Sequence, residues 1–239
     1  MKVLLVILFN IVGFSVFAQQ PIAVNDPEAK VRTLSGSFSA ITVSDGIELY
    51  LSSGAEESLA VSFSDEKYEE RFKTEITGDV LKIYYDNNGI NYSDNKRRKL
   101  KAYVSFKVLE KLTASGGATV KLPVGITVGN LAMKFSSGAE FNGEVKADDL
   151  SVDQNSGAEI NLSGSASSIK IDVSSGAIFK GYEFKTDFCT AKASSGAEIR
   201  ISVDKELNAR ANSGGGIHYK GTAVIKDINI TSGGFVKKA

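Results

Sequence analysis

Residues Ser136 to Glu140 read Ser-Ser-Gly-Ala-Glu, and close copies return down the C-terminal half at an almost fixed interval. The central glycines are Gly117, Gly138, Gly157, Gly176, Gly196, Gly214 and Gly233, separated by steps of 21, 19, 19, 20, 18 and 19 residues. A period near 20 with one turn signal per period restricts such a chain to a stacked, quasi-one-dimensional architecture, in which each unit buries its apolar face against the next. Aligned on the glycine, the third residue on is Val120, Phe141, Ile160, Phe179, Ile199, Ile217 and Val236, which defines an inward column. The fifth is Leu122, Gly143, Leu162, Gly181, Ile201 and Tyr219, on the same face under a period of two. Ahead of the motif, Leu131, Met133 and Phe135 correspond to Ile169, Ile171 and Val173, then to Cys189, Ala191 and Ala193, then to Leu207, Ala209 and Ala211. Each coil is thus expected to hold two inward-facing strands, one on either side of a glycine corner. Gln154 and Lys226 interrupt the inward pattern and predict a bulge or shifted strand. Cys189, in register with Ile169 and Leu207, reads as a small core residue rather than a nucleophile or metal ligand.

The corner explains its own letters. A tight bend between short strands needs a residue that accepts positive φ, which glycine does without a Cβ penalty. The pairs before it, such as Ser136-Ser137, Asn155-Ser156 and Ser174-Ser175, would stack about 4.8 Å apart as hydrogen-bonding ladders, and the following Ala leaves room for the bend. Ser44-Asp45-Gly46-Ile47-Glu48-Leu49 matches the same pattern, so a first corner is expected at Gly46. Ser52 to Glu56 repeats the letters with different flanks. Strand-like Ile47 to Leu51 and Leu59 to Phe63 lie at hairpin distance, which predicts a turn between antiparallel strands. Asp65 to Phe72, with Tyr68 and Phe72 four apart, predicts one short amphipathic helix capped by Ser64 or Asp65. A second hairpin follows, turning at Gly78-Asp79 into Val80 to Tyr85. The fold class is therefore all-β: a parallel β-helix or solenoid with coils of about 19 residues, preceded by antiparallel hairpins and one short helix.

At the N-terminus, Lys2 and an apolar run from Val3 to Phe17 end at Val16-Phe17-Ala18, the form of a secretory signal peptide cleaved after Ala18. A membrane anchor needs about 20 apolar residues, and this run is shorter and broken by Asn10 and Ser15. No Cys follows it, against a lipid-anchored lipoprotein. The expected organisation is residues 1–18 as signal peptide, 19–32 as flexible lead-in, 33–108 as an N-terminal β portion and 109–236 as coils continuous with it. Removing the leader takes one Lys from 28 basic groups against 28 acidic, which leaves no global field to attract nucleic acid or a membrane. The single Cys excludes an intramolecular disulfide, so packing and backbone ladders must supply stability.

No catalytic constellation, cofactor motif or transmembrane segment after the leader emerges, and His218 is the lone histidine. The carboxylates two residues after the glycines, Glu140, Glu159 and Glu198, include one pair, Glu140 and Glu159, expected on adjacent coils. Calcium could bridge them, although the Asp-rich nonapeptide of calcium-binding β-rolls is absent and hydration serves an exposed pair equally well. The basic run Lys96 to Lys99 with Lys101 lacks repeated aromatic platforms for nucleic acid and reads as a solvated loop entering a strand from Ala102 to Val108. The outward column Lys121, Asn142, Asn161, Lys180, Arg200 and His218 is the expected ligand-binding face, for a glycan or protein partner at the cell envelope. A polysaccharide-acting enzyme is the weaker alternative, because coils without long insertions make no cleft. A periplasmic envelope-stress or protein-interaction module is another alternative, and self-association is open.

The repeated Ser-Gly-Ala-Glu-Ile turns, the segment Ile41 to Phe63 and the run from Lys101 to Ala118 into the first full coil resemble the secreted autotransporter-adhesin head domain called the head GIN domain, common in Bacteroidetes. The resemblance spans roughly Thr33 to Val236, and a Gly89-Ile90-Asn91 tripeptide is present. It implies a right-handed β-helix exported across the inner membrane to the periplasm, outer surface or medium, with an adhesin-like, non-catalytic role. No transmembrane barrel segment follows the repeats, so self-translocation as a complete autotransporter is not expected.

Overall fold

A computed structural model describes residues 26–88 and 98–239. The expected signal peptide, the first part of the expected lead-in, the Gly89-Ile90-Asn91 tripeptide, Lys96 and Arg97 lie outside the described residues. Eighteen strands and one 3-10 turn follow one another: β1 (Lys30–Arg32), β2 (Ala40–Val43), β3 (Glu48–Ser53), β4 (Ser58–Phe63), the turn Glu66–Tyr68, β5 (Phe72–Thr77), β6 (Val80–Tyr85), β7 (Leu100–Phe106), β8 (Lys111–Ala114), β9 (Thr119–Lys121), β10 (Ile126–Thr127), β11 (Asn130–Phe135), β12 (Glu140–Gln154), β13 (Glu159–Val173), β14 (Ile178–Ala193), β15 (Glu198–Ala211), β16 (Gly216–Lys220), β17 (Val224–Ile230) and β18 (Phe235–Lys238). From β8 onward every pairing is parallel, each strand lying on the one a coil earlier, so the chain winds as a β-solenoid of about 7 turns with coils of ~19 residues. The inward column closes as the period of two requires: Val120, Ile160, Phe179, Ile199 and Ile217 are wholly buried and Phe141 nearly so. Val236, in the last coil, is only partly covered.

The corner is tighter than a single glycine. Gly138 (φ 71°) follows Ser137 (φ 53°), and the same pair of positive φ values recurs at Ser156-Gly157, Ser175-Gly176, Ser195-Gly196, Ser213-Gly214 and Ser232-Gly233. Ala139 N donates to Ser136 O at 3.1 Å across the bend, which with two left-handed residues is the pattern of a type I′ turn. The ladder along the corners is carried by backbone: Gly138 N donates to Ser156 O, Gly157 N to Ser175 O and Gly176 N to Ser195 O, each at 3.1 Å. Serine in this region costs about 1 kcal/mol, and a β-branched residue more. Ser175→Val should therefore lower the unfolding free energy by about 2 kcal/mol, while Ser175→Gly should leave it unchanged or slightly raised. Urea titration of the two variants checks that ordering.

The first corner is where the repeat pattern puts it, at Gly46 (φ 72°). Strands β2 and β3 on either side stack in parallel on β8 and β9, so this segment is the coil beneath them. The β5–β6 hairpin forms as expected around Gly78. The turn at Ser52 to Glu56 does reverse the chain, but β3 and β4 do not share a ladder. Strand β7 lies between them, parallel to β3 and antiparallel to β4, and this insertion of a strand that begins 37 residues after β4 ends leaves no local trace in the sequence. The helix expected over Asp65 to Phe72 shrinks to the 3-10 turn. Asp65 caps it through Lys67 N, Tyr68 is buried, and Phe72 already opens β5. Residues 26–32 are not the flexible lead-in expected of them. There β1 pairs antiparallel with β4, Tyr103 Oη donates to Asp26 at 2.7 Å, and Arg32 Nη1 donates to Phe72 O at 2.6 Å.

Gln154 departs from expectation in the other direction. It makes no bulge but stays in register between Phe135 and Val173, wholly buried, and its Nε2 donates to Ala158 O and Ile178 O, both at 2.7 Å. An inward amide thus ties one corner to the next coil. Lys226 is the bulged residue foreseen: β15 and β17 slip by one position there, Leu207 facing Ile225 and Asn208 facing Asp227.

Candidate functional site: the outward column and its grooves

The register of the coils places the expected binding residues in one line. Lys121 faces Asn142, Asn142 faces Asn161, Asn161 faces Lys180, Lys180 faces Arg200, and Arg200 faces His218. The line is longer than the sequence suggested, since Tyr50 and Tyr103 precede Lys121 and Lys237 follows His218. The tyrosines stack with centroids 5.1 Å apart, and Lys121 Nζ lies 5.3 Å from the Tyr50 ring. His218 meets the Phe235 ring edge-on at 5.2 Å.

A second column, two residues earlier along the strands, supplies carboxylates at Glu48, Glu140, Glu159 and Glu198, interrupted by Thr119, Ile178 and Gly216. Lys121 Nζ meets Glu48 at 3.0 Å, Lys180 Nζ meets Glu159 at 2.6 Å, Arg200 Nε meets Glu198 at 2.8 Å, and His218 Nε2 lies 3.6 Å from the same Glu198 oxygen. Asn161 Nδ2 bridges Asn142 Oδ1 at 2.8 Å and Glu159 Oε1 at 3.1 Å. Glu140 does sit in register with Glu159, but Glu159 already accepts from Lys180 and Asn161. No group of three or more His, Cys, Asp or Glu is arranged to hold a metal ion among the described residues.

Lys180 first, and then Asn161, hold the Glu159 carboxyl below its ordinary value of 4.5. A carboxyl depressed by folding stabilises the fold above that value, and the contribution fades as pH falls through the folded-state value. Because the Lys180 and Glu159 side chains are 39% and 36% exposed, solvent screening keeps the pair's contribution under about 1 kcal/mol. Glu159→Gln should therefore lower the melting temperature slightly at pH 7, and the difference should vanish in acid. Calorimetry of both proteins between neutral pH and the acid limb reads this directly.

Beside this column lies an open groove of about 430 Å³, lined by Asn142, Asn161, Lys180, Arg200 and Tyr182 among others. Sequence reasoning missed Tyr182. The coil from Gly176 to Gly196 is one residue longer than its predecessor, and β14 slips register on both neighbours between Lys180 and Lys185, at the bulge that carries Tyr182. The 20-residue step was the available signal. Lys220 Nζ lies 4.3 Å from the Tyr182 ring.

A larger groove of about 890 Å³ runs over the start of the other strand row, floored by Ala132, Ser151 and Ser168 and edged by Val108 and Phe188. Cys189 lines its base yet is 2% exposed, and burial pushes its thiol up to about 12. That is the inert core residue the register predicted. Arg98, the described end of the basic run's arginines, stacks 3.8 Å from the Tyr85 ring and donates to Asp45 O at 2.9 Å, so it braces the first corner. No helix among the described residues is long and apolar enough to cross a membrane.

Several solved structures share this fold. A crystal structure of a "putative adhesin" from Bacteroides fragilis NCTC 9343 superposes with a TM-score of 0.78 at 15% identity, over 88% of this chain and 96% of its own. Another "putative adhesin", from Parabacteroides distasonis ATCC 8503, gives 0.69 at 17% identity over 90% and 98%. A "putative lipid binding protein" from the same strain gives 0.62 at 21% over 90% and 98%. No curated protein matches the chain. Residues 37–223 match the family described as "Putative auto-transporter adhesin, head GIN domain", and the chain belongs to that family.

Proposed function

We propose that this protein is an exported, non-catalytic binding module of the cell envelope, adhesin-like in role, whose ligand face is the outward column from Lys121 to His218. The observation that carries the reading is the column itself. One polar side chain per coil is held in unbroken register, and an open groove beside Tyr182 gives a ligand access to four of its members. Cations paired with carboxylates and bridged amides present donors and acceptors together, the mixture that a hydroxyl-rich glycan needs, and a tyrosine ring offers a flat apolar surface. The groove is an open strand face rather than an enclosed cleft, which favours binding over catalysis. Residues 33–236 form one continuous domain, wound right-handed as parallel strand crossovers almost always are, and no cofactor takes part.

Affinity electrophoresis through gels containing uronate and neutral polysaccharides tests the reading. At least one polysaccharide should retard the protein, and Lys180→Ala/Arg200→Ala should migrate freely in that gel. Retardation unchanged in the double variant would move the site elsewhere, and release of reducing ends from the panel would make the protein an enzyme. Protease shaving of intact cells places the module: loss of the protein means surface display, and protection means the periplasm.

A further inference from the structure

Among the described residues, no strand stacks on the outer side of β17, so the core of the last coil is left uncovered there. Leu207, Ala209 and Ala211 on β15 are at most 1% exposed because β17 covers them. The residues that do the covering, Ile225, Ile228 and Ile230, are 36%, 48% and 46% exposed. Among the described residues β15 is the only ladder partner of β17, so its outer edge is also open. Repeat proteins ordinarily end in a polar cap, and an open apolar edge strand invites pairing. At the same end of the molecule, β18 is blunted in the usual way by Lys237 and Lys238, but β17 is not.

The bulge at Lys226 gives β17 an unusual symmetry. It makes Ala223, Ile225, Ile228 and Ile230 face the core, while Val224, Lys226, Asp227 and Asn229 face outward. Laid antiparallel against a second copy about the Lys226-Asp227 peptide, Ile225 falls opposite the partner's Ile228 and Ala223 opposite the partner's Ile230. Lys226 falls opposite the partner's Asp227, and the two-fold axis makes that match twice. Every inward residue meets an inward residue, and each cation meets an anion. In a register centred on Asp227 itself, like charges would face each other. Lys226 and Asp227 already meet Glu206 at 2.7 Å and Arg210 at 3.6 Å within the chain, and at 60% and 57% side-chain exposure they remain accessible.

We propose that two copies of this chain join end to end through antiparallel β17–β17 pairing, closing both open cores in a two-fold symmetric dimer. The dimer carries two outward columns, so a polymeric ligand meets it with avidity. The proposal does not depend on what the columns bind.

Sedimentation velocity of the full exported protein, from about 1 to 100 μM, tests it. A concentration-dependent dimer is expected, and Ile228→Lys should abolish it. Lys226→Asp alone places four carboxylates at the centre and Asp227→Lys alone places four ammonium groups there, so each should weaken dimerisation at least about tenfold. An equimolar mixture of the two single variants should restore the dimer, because the doublets are again complementary. Both side chains are exposed, so melting curves matching the parent keep loss of the dimer from being confused with unfolding. A monomer throughout the range, a dimer untouched by Ile228→Lys and Asp227→Lys, or a mixture that stays monomeric would each overturn the proposal.

Discussion

Phe179→Ala should destabilise the protein by about 4 kcal/mol, seen as a fall in melting temperature of about 10 °C. The ring is wholly buried in the middle of the solenoid, stacked between Ile160 below and Ile199 above. It also fills the space over Gly181, where a Cβ would come within 2.5 Å of Phe179 Cε1. Neighbouring coils cannot collapse into the gap, because their backbones are fixed at strand spacing by continuous ladders. Because each coil touches only its neighbours, hydrogen exchange should rise first in the coils of β13, β14 and β15, and last around β2 and β3.

Gly164→Ala should cost a comparable amount, about 4 kcal/mol. Gly164 holds a φ of 112°, and a Cβ there would overlap the carbonyl of Val145 on the preceding coil. Steric overlap with backbone therefore adds to conformational strain. Gly176, at a repeated corner, has a φ of 69° and nothing within 4 Å of where a Cβ would sit. Gly176→Ala pays the conformational cost alone, about 1 kcal/mol. Chemical denaturation of the two variants should separate them clearly, with the less conspicuous glycine the more sensitive.

That contrast shows what the sequence reveals and what it does not. Corner glycines, the inward column, the role of Cys189 and the outward line of Lys121 to His218 are all legible because a period of about 19 puts each at a fixed offset. The left-handed serines are hidden, since nothing in Ser-Ser-Gly distinguishes one αL residue from two. Gly164 is hidden because its constraint comes from a carbonyl one coil away. The same holds for β7, whose place between β3 and β4 is a long-range pairing, and for residues 26–32, whose composition suggests a loose segment until Tyr103 and Phe72 supply partners. Gln154 reads as an error in an apolar column, and only the carbonyls of Ala158 and Ile178 explain it. Of the candidate site, the column is readable but the groove is not, because Tyr182 reaches it through a bulge marked only by one extra residue.

In the proposed reading the repeated letters build the corner while the column beside them binds. The most direct measurement compares three proteins in the polysaccharide gel that retards the parent: the parent, Lys180→Ala/Arg200→Ala, and Ser175→Asn/Ser195→Asn. Asparagine accepts the left-handed corner conformation but removes both hydroxyls. On that reading the asparagine variant is retarded like the parent and the column variant loses at least about tenfold in affinity, or 1.4 kcal/mol. Loss of retardation in a folded asparagine variant, with the column variant unaffected, would contradict it.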